Sequence, residues 1–155
     1  MELGTTLIGI ICVAICAMPF VLTNRSKKAI VKRQLIVLKD LATQHNNTIT
    51  QNEINSFYAI GIDETKKSVS FILKGETEIE QQFVDLSTIK SCEIVSINKS
   101  KHMDRLYLKL MPIDKTKSEV ILEFFNADVS YQLGEELQSI EKWNKIINNL
   151  LKATE

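Results

Sequence analysis

Two histidines, His45 and His102, and three cysteines, Cys12, Cys16 and Cys92, are the whole stock of imidazole and thiol in this 155-residue chain. A metal site needs several such ligands at close spacing, as in Cys-x-x-Cys or His-Glu-x-x-His, and neither histidine belongs to one. His102 closes the very polar run Asn98-Lys99-Ser100-Lys101-His102, where a solvated side chain is the default. Cys92, within Ser91-Cys92-Glu93-Ile94-Val95, reads as a small core residue. The other two thiols fall in an apolar segment, so no disulfide framework is available. Gly4, Gly9, Gly61, Gly75 and Gly134 are too dispersed for a phosphate-cradling loop. The carboxylates Asp63-Glu64 and Glu76-Thr77-Glu78 sit at expected hairpin turns, where they keep the ends soluble and lack the burial that a general acid requires. No residue is therefore assigned to catalysis, to a cofactor or to a metal, and the expectation is a protein that is not an enzyme.

The N-terminal segment carries a different message. From Leu3 to Asn24 there are 22 uncharged residues, and Arg25, Lys27, Lys28, Lys32 and Arg33 follow at once. At helical rise such a stretch matches the roughly 30 Å hydrocarbon core of a bilayer, so residues 1–24 are expected to be a transmembrane anchor. Only Glu2 lies on the other flank. The five cations therefore act as topology and membrane-surface residues and point the C-terminal part to the cytoplasmic side of an inner membrane. Cleavage as a signal peptide fits less well, because the positive charge is on the wrong flank. Setting these five cations and Glu2 aside leaves 14 basic against 18 acidic residues in the rest of the neutral chain, net −4, which lacks the footprint of a nucleic-acid binder.

Residues 25–46 show helical periodicity, with Ile30, Val31, Leu35, Leu38, Leu41 and Ala42 on one face and Lys32, Arg33, Lys39, Asp40 and Thr43 on the other. This amphipathic helix has three possible uses: packing against the domain, lying in a membrane interface, or pairing with a partner helix. Asn46-Asn47 ends it. The pattern then alternates, predicting strands near 48–51, 56–63, 68–74, 80–84, 90–98, 105–113 and 118–125. Asp63-Glu64-Thr65-Lys66-Lys67 and Asp114-Lys115-Thr116-Lys117 are connections of hairpin length, so neighbouring strands should pair antiparallel. Leu133, Leu137, Ile140, Trp143, Ile147 and Leu150 form the apolar stripe of a C-terminal helix, with Trp143 as a core plug.

Seven antiparallel strands and a capping helix with a tryptophan resemble the pleckstrin-homology (PH) superfold. The segment from Phe83 to Glu93 looks like the strand-turn-strand signature of bacterial PH-like domains. With Ala59–Glu64, Val120–Ala127 and Glu141–Ile147, it resembles a group of uncharacterised bacterial membrane-anchored proteins over residues 35–152. With the transmembrane helix and the amphipathic helix read from the pattern, the resemblance completes an expected α+β chain: a seven-stranded PH-like sandwich or barrel over 47–155, capped by the C-terminal helix. Inositide recognition does not carry over, because the loop Gln51-Asn52-Glu53-Ile54-Asn55 holds no base. The functional expectation is a binding or scaffolding module at a membrane, with a protein partner or a second copy of the chain. The alternative is a carrier of a lipid or small amphiphile in the cavity under the C-terminal helix.

Overall fold

A computed structural model describes residues 3–75, 77–130 and 133–153, with the backbone alone at 3, 5, 17 and 20–24. Glu2 and Glu76, used in the sequence reading, lie outside the described residues. Helix α1 runs unbroken over Leu3–Gln44. Seven strands follow: β1 Gln51–Ile54, β2 Tyr58–Asp63, β3 Ser68–Lys74, β4 Ile79–Asp85, β5 Ile89–Lys99, β6 His102–Pro112 and β7 Val120–Asn126; helix α2 spans Glu136–Lys152. They form two antiparallel sheets in sequence order, β1 to β4 and β5 to β7.

Two expectations are corrected. Among the described residues, no helix is long and apolar enough to cross a membrane, which overturns both the transmembrane anchor at 1–24 and the inner-membrane placement derived from it. A span needs about 20 consecutive, predominantly apolar residues. The apolar stretch belongs to one continuous helix that runs on through the five cations from Arg25 to Arg33.

The last turns of α1 pack on the outer face of the first sheet, where Leu38, Leu41 and Ala42 are buried with Ala59 and Ile72 and flanked by Ile49, Ile54 and Phe83. Gly61 permits this approach: a Cβ there would stand 2.9 Å from Ile49 Cδ1 and 3.1 Å from Leu38 Cδ2. His45 stacks on Phe83 with ring centroids 3.8 Å apart. The chain leaves the helix at Asn46, whose positive φ of 58° is the left-handed cap that asparagine tolerates. Earlier along α1 the apolar stripe is not covered, and Ile30 and Val31 remain 46% and 45% exposed.

The inner faces of both sheets enclose the main core. Tyr58, Ile60, Ile62, Val69 and Phe71 from the first sheet meet Leu106, Leu108, Leu110, Leu122 and Phe124 from the second. The corner between the sheets lies in the Phe83–Glu93 segment. Asp85 caps a 3-10 turn by accepting from Ser87 N at 2.9 Å, Thr88 Oγ1 donates to the Asp85 carbonyl, and Leu86 drops into the core. Helix α2 closes the sandwich with Ile140, Trp143 and Ile147. None of these has accessible surface, so no water-sized void touches them.

Some boundaries differ from the sequence reading. The first strand starts at Gln51 rather than Thr48, because Thr48 bonds through its N–H to the Asp63 carboxylate, at 2.8 Å, rather than to a strand backbone. Asp63 itself is not a solubilising turn residue. It is 2% exposed and accepts from Thr48, Thr65 and Lys66 N–H groups. Burial raises its pKa, but those donors outweigh burial and hold the carboxyl below the ordinary range. The β5–β6 ladder extends to Lys99 and His102 across Ser100 and Lys101, both at positive φ, so His102 ends as an exposed strand residue.

Candidate binding cleft

Helices α1 and α2 pass on opposite sides of β1, and the edge of that strand forms the floor between them. Pleat alternation explains this: Ile54, opposite Ala59, points outward to α1, while Glu53, opposite Ile60, points inward to α2. The space between is an open cleft of about 800 Å³. Lys27, Ile30, Val31 and Gln34 form its α1 wall; Glu135, Gln138, Ser139 and Lys142 form its α2 wall. A smaller apolar hollow of about 230 Å³, bounded by Ile30, Val37, Ile72 and Ile79 with Arg33 and Lys74 at its rim, shares Ile30, Gln34 and Lys74 with the cleft. The two make one groove along α1.

The α2 wall is fixed by Glu53. Its carboxylate accepts from Lys142 Nζ at 2.8 Å and from the Ser139 hydroxyl, and Tyr58 OH lies 3.4 Å away. Burial pushes the Glu53 pKa up, yet the bonds from Lys142 and Ser139, the Lys142 charge and the Trp143 indole N–H facing the same group bring it below the ordinary value. The Trp143 indole N–H is buried with no hydrogen-bond partner among the described residues. Burial, opposed by Ser139 and assisted by the Glu53 charge, pushes Tyr58 up to about 12. A carboxylate held deprotonated beside an ammonium group is a poor proton acceptor, so this cluster clamps α2 to β1 rather than activating Ser139. Beside it, Glu136 is buried and accepts from Gly134 N at 2.6 Å and Asn55 Nδ2 at 3.4 Å.

On the far side of α2, the Asn144 and Asn148 amides donate to the Cys92 carbonyl at 3.1 and 3.0 Å. This covers the β5 edge at that point. Burial, partly opposed by Asn144, pushes the Cys92 thiol up to about 12, which makes thiolate scarce.

Of the five cations singled out in the sequence, Lys27 and Arg33 line the groove; the positions of Arg25, Lys28 and Lys32 cluster about the opposite side of α1 at helical spacing. His45 and His102 lie apart, and no group of three metal-ligating residues occurs among the described residues. Glu53, Ser139 and Lys142 were not legible as a set. They meet only because β1 and α2, some 86 residues apart at Glu53 and Ser139, are brought together by the sandwich.

The comparisons supply no relative: no protein-family model matches the chain, and neither a curated protein nor a solved structure does.

Proposed function

We propose that this chain is a non-enzymatic, PH-like binding or scaffolding module that holds a protein partner in the groove between α1 and the sandwich. The observation that carries the reading is the open cleft of about 800 Å³ with an edge strand as its floor and a helix on either side. The four-plus-three strand arrangement, the capping helix and the buried Trp143 support the PH-like assignment. A concave site with mixed apolar and polar walls suits recognition, and a folded platform lets the groove bind without large rearrangement. The test is a photo-crosslinking side chain placed in cells at Ser56, on the cleft rim, with Thr116 on the remote β6–β7 connection as control. A stoichiometric protein adduct at Ser56 alone is expected. Equal adducts at both positions, or none at Ser56, would remove the proposal.

A further inference from the structure

The groove has a charge and a main-chain pattern that specify its occupant more narrowly. Four charged residues bordering it lack an ion-pair partner among the described residues: Lys27, Arg33 and Lys74 on the positive side, and Glu135 alone on the negative side. Lys142 is neutralised by Glu53. The positive balance is reinforced by Arg25, Lys28 and Lys32 on the same helix, which has no acidic residue between Arg25 and Arg33. Against this background lies the apolar hollow of Ile30, Val37, Ile72 and Ile79, large enough for one large side chain.

The floor of the cleft adds hydrogen-bonding groups. Asn55 N donates to the Tyr58 carbonyl at 2.8 Å, which makes Asn55 and Tyr58 a hydrogen-bonded pair. In an antiparallel ladder such pairs alternate with non-bonded ones, so the adjoining Ile54–Ala59 pair exchanges no bonds and the Ile54 N–H and C=O face away from β2, into the cleft. Gln34, on the α1 wall, adds a polar side chain whose oxygen is buried with no donor among the described residues. An extended polypeptide suits such a floor, because its own amides can pair with Ile54.

We infer that the groove takes an extended acidic segment of a partner protein, which adds as a strand beside β1, sets Asp or Glu side chains against Lys27, Arg33 and Lys74, and buries one large apolar side chain between Ile30, Val37, Ile72 and Ile79. This rests on the binding-module reading and deepens it. Charge complementarity selects the acidic class, and the unpaired strand edge selects a polypeptide over other anions, because only a polypeptide returns both an N–H and a C=O at strand spacing.

The test is a display library of random 12-residue peptides selected against the full chain in mild detergent. Enrichment of Asp and Glu around a single large apolar residue is expected. The selected peptides should bind at least tenfold more weakly to a K27E/R33E/K74E variant, all three side chains being exposed and therefore replaceable without loss of fold. They should weaken comparably with Ile54→Pro, which deletes the cleft-facing donor at a strand edge that bonds nothing through that group. Selected peptides indifferent to the triple reversal overturn the charge argument, and indifference to I54P overturns the strand pairing. Enrichment of basic or neutral peptides that compete at the cleft refutes the acidic class while leaving the binding module standing; retention of no peptide removes both. A dimer of the chain that the triple reversal dissociates would place a second copy in the groove and also overturn the inference.

Discussion

Asp63 offers the sharpest quantitative test of how the first sheet is tied to the end of α1. Its carboxylate is 2% exposed and accepts from Thr48 N at 2.8 Å and from Thr65 N and Lys66 N at 3.0 Å, with Thr48 Oγ1 at 3.4 Å. Asp63→Ala would strand three backbone donors, of which Thr48 N is the furthest along the chain from its acceptor. A net hydrogen bond contributes about 1 kcal/mol, more when the acceptor is charged, and partial hydration of a turn recovers some of this. A loss of about 3 kcal/mol is expected, with Asp63→Asn intermediate at about 1–2 kcal/mol because one oxygen survives. The assay is urea unfolding followed by circular dichroism, in mild detergent that keeps the exposed apolar side chains of α1 dispersed. The sign of the pH effect is also determined. Because the folded pKa is depressed, the contribution of Asp63 is fully present above the unfolded value near 3.9 and is lost as pH falls through the lower folded value. The wild type should thus lose more stability than D63N between about pH 5 and the acid limit. A D63A loss under 1 kcal/mol, or parallel acid profiles for wild type and D63N, would refute the claim that this carboxylate organises the turn.

Gly61→Val should push against Ile49 and Leu38 and loosen α1 from the sheet, costing about 1–3 kcal/mol and raising proteolysis near residue 45. Trp143→Ala should cost about 3–5 kcal/mol in the same urea assay, since it empties the largest fully buried side chain. Wild-type Cys92 should react very slowly with a thiol reagent at pH 8, and N148A, which uncovers the β5 edge while keeping Asn144 on the thiol, should speed the reaction; an unchanged rate would mean α2 is held there by other contacts.

Legibility in the sequence followed the range of the forces involved. Strand β3 coincides with its expected bounds because Val69, Phe71 and Leu73 fall on one face within seven positions, with Ser68, Ser70 and Lys74 on the other, although Ile72 on that other face is buried under α1. The rhythm of α2 was also visible, but its buried face starts at Glu136 rather than Leu137, which is 41% exposed. A buried glutamate bonded to Gly134 and Asn55 leaves no hydropathy signal. The last turns of α1 bury Leu38, Leu41 and Ala42 and leave Lys39, Asp40 and Thr43 exposed, so of the three possible uses these turns take packing against the domain, whereas Arg33, read on the polar face, lines the groove beside Ile30. The membrane span inferred from residues 3–24 has no counterpart among the described helices. Asp63 was misread because the same Asp-Glu pair suits a solvated turn, and only the return of Thr48 from 15 residues away buries it. The groove was beyond reach altogether, since its lining comes from five separated elements, α1, β1, β3, β4 and α2.

Among the described residues, α1 packs on the sheet through its last turns, which makes the rest of it a lever. Its fulcrum is Leu38, clamped with Leu41 and Ala42 against Ala59 and Ile72. At a rise of about 1.5 Å per residue, Ile30 stands about 12 Å from that fulcrum and Pro19 about 28 Å. Pivoting there, a segment that wedges the helix outward by about 2 Å at Ile30 carries Pro19 through about 5 Å. A wedge of that size in the groove would thus be read out as a larger displacement at the far part of the helix.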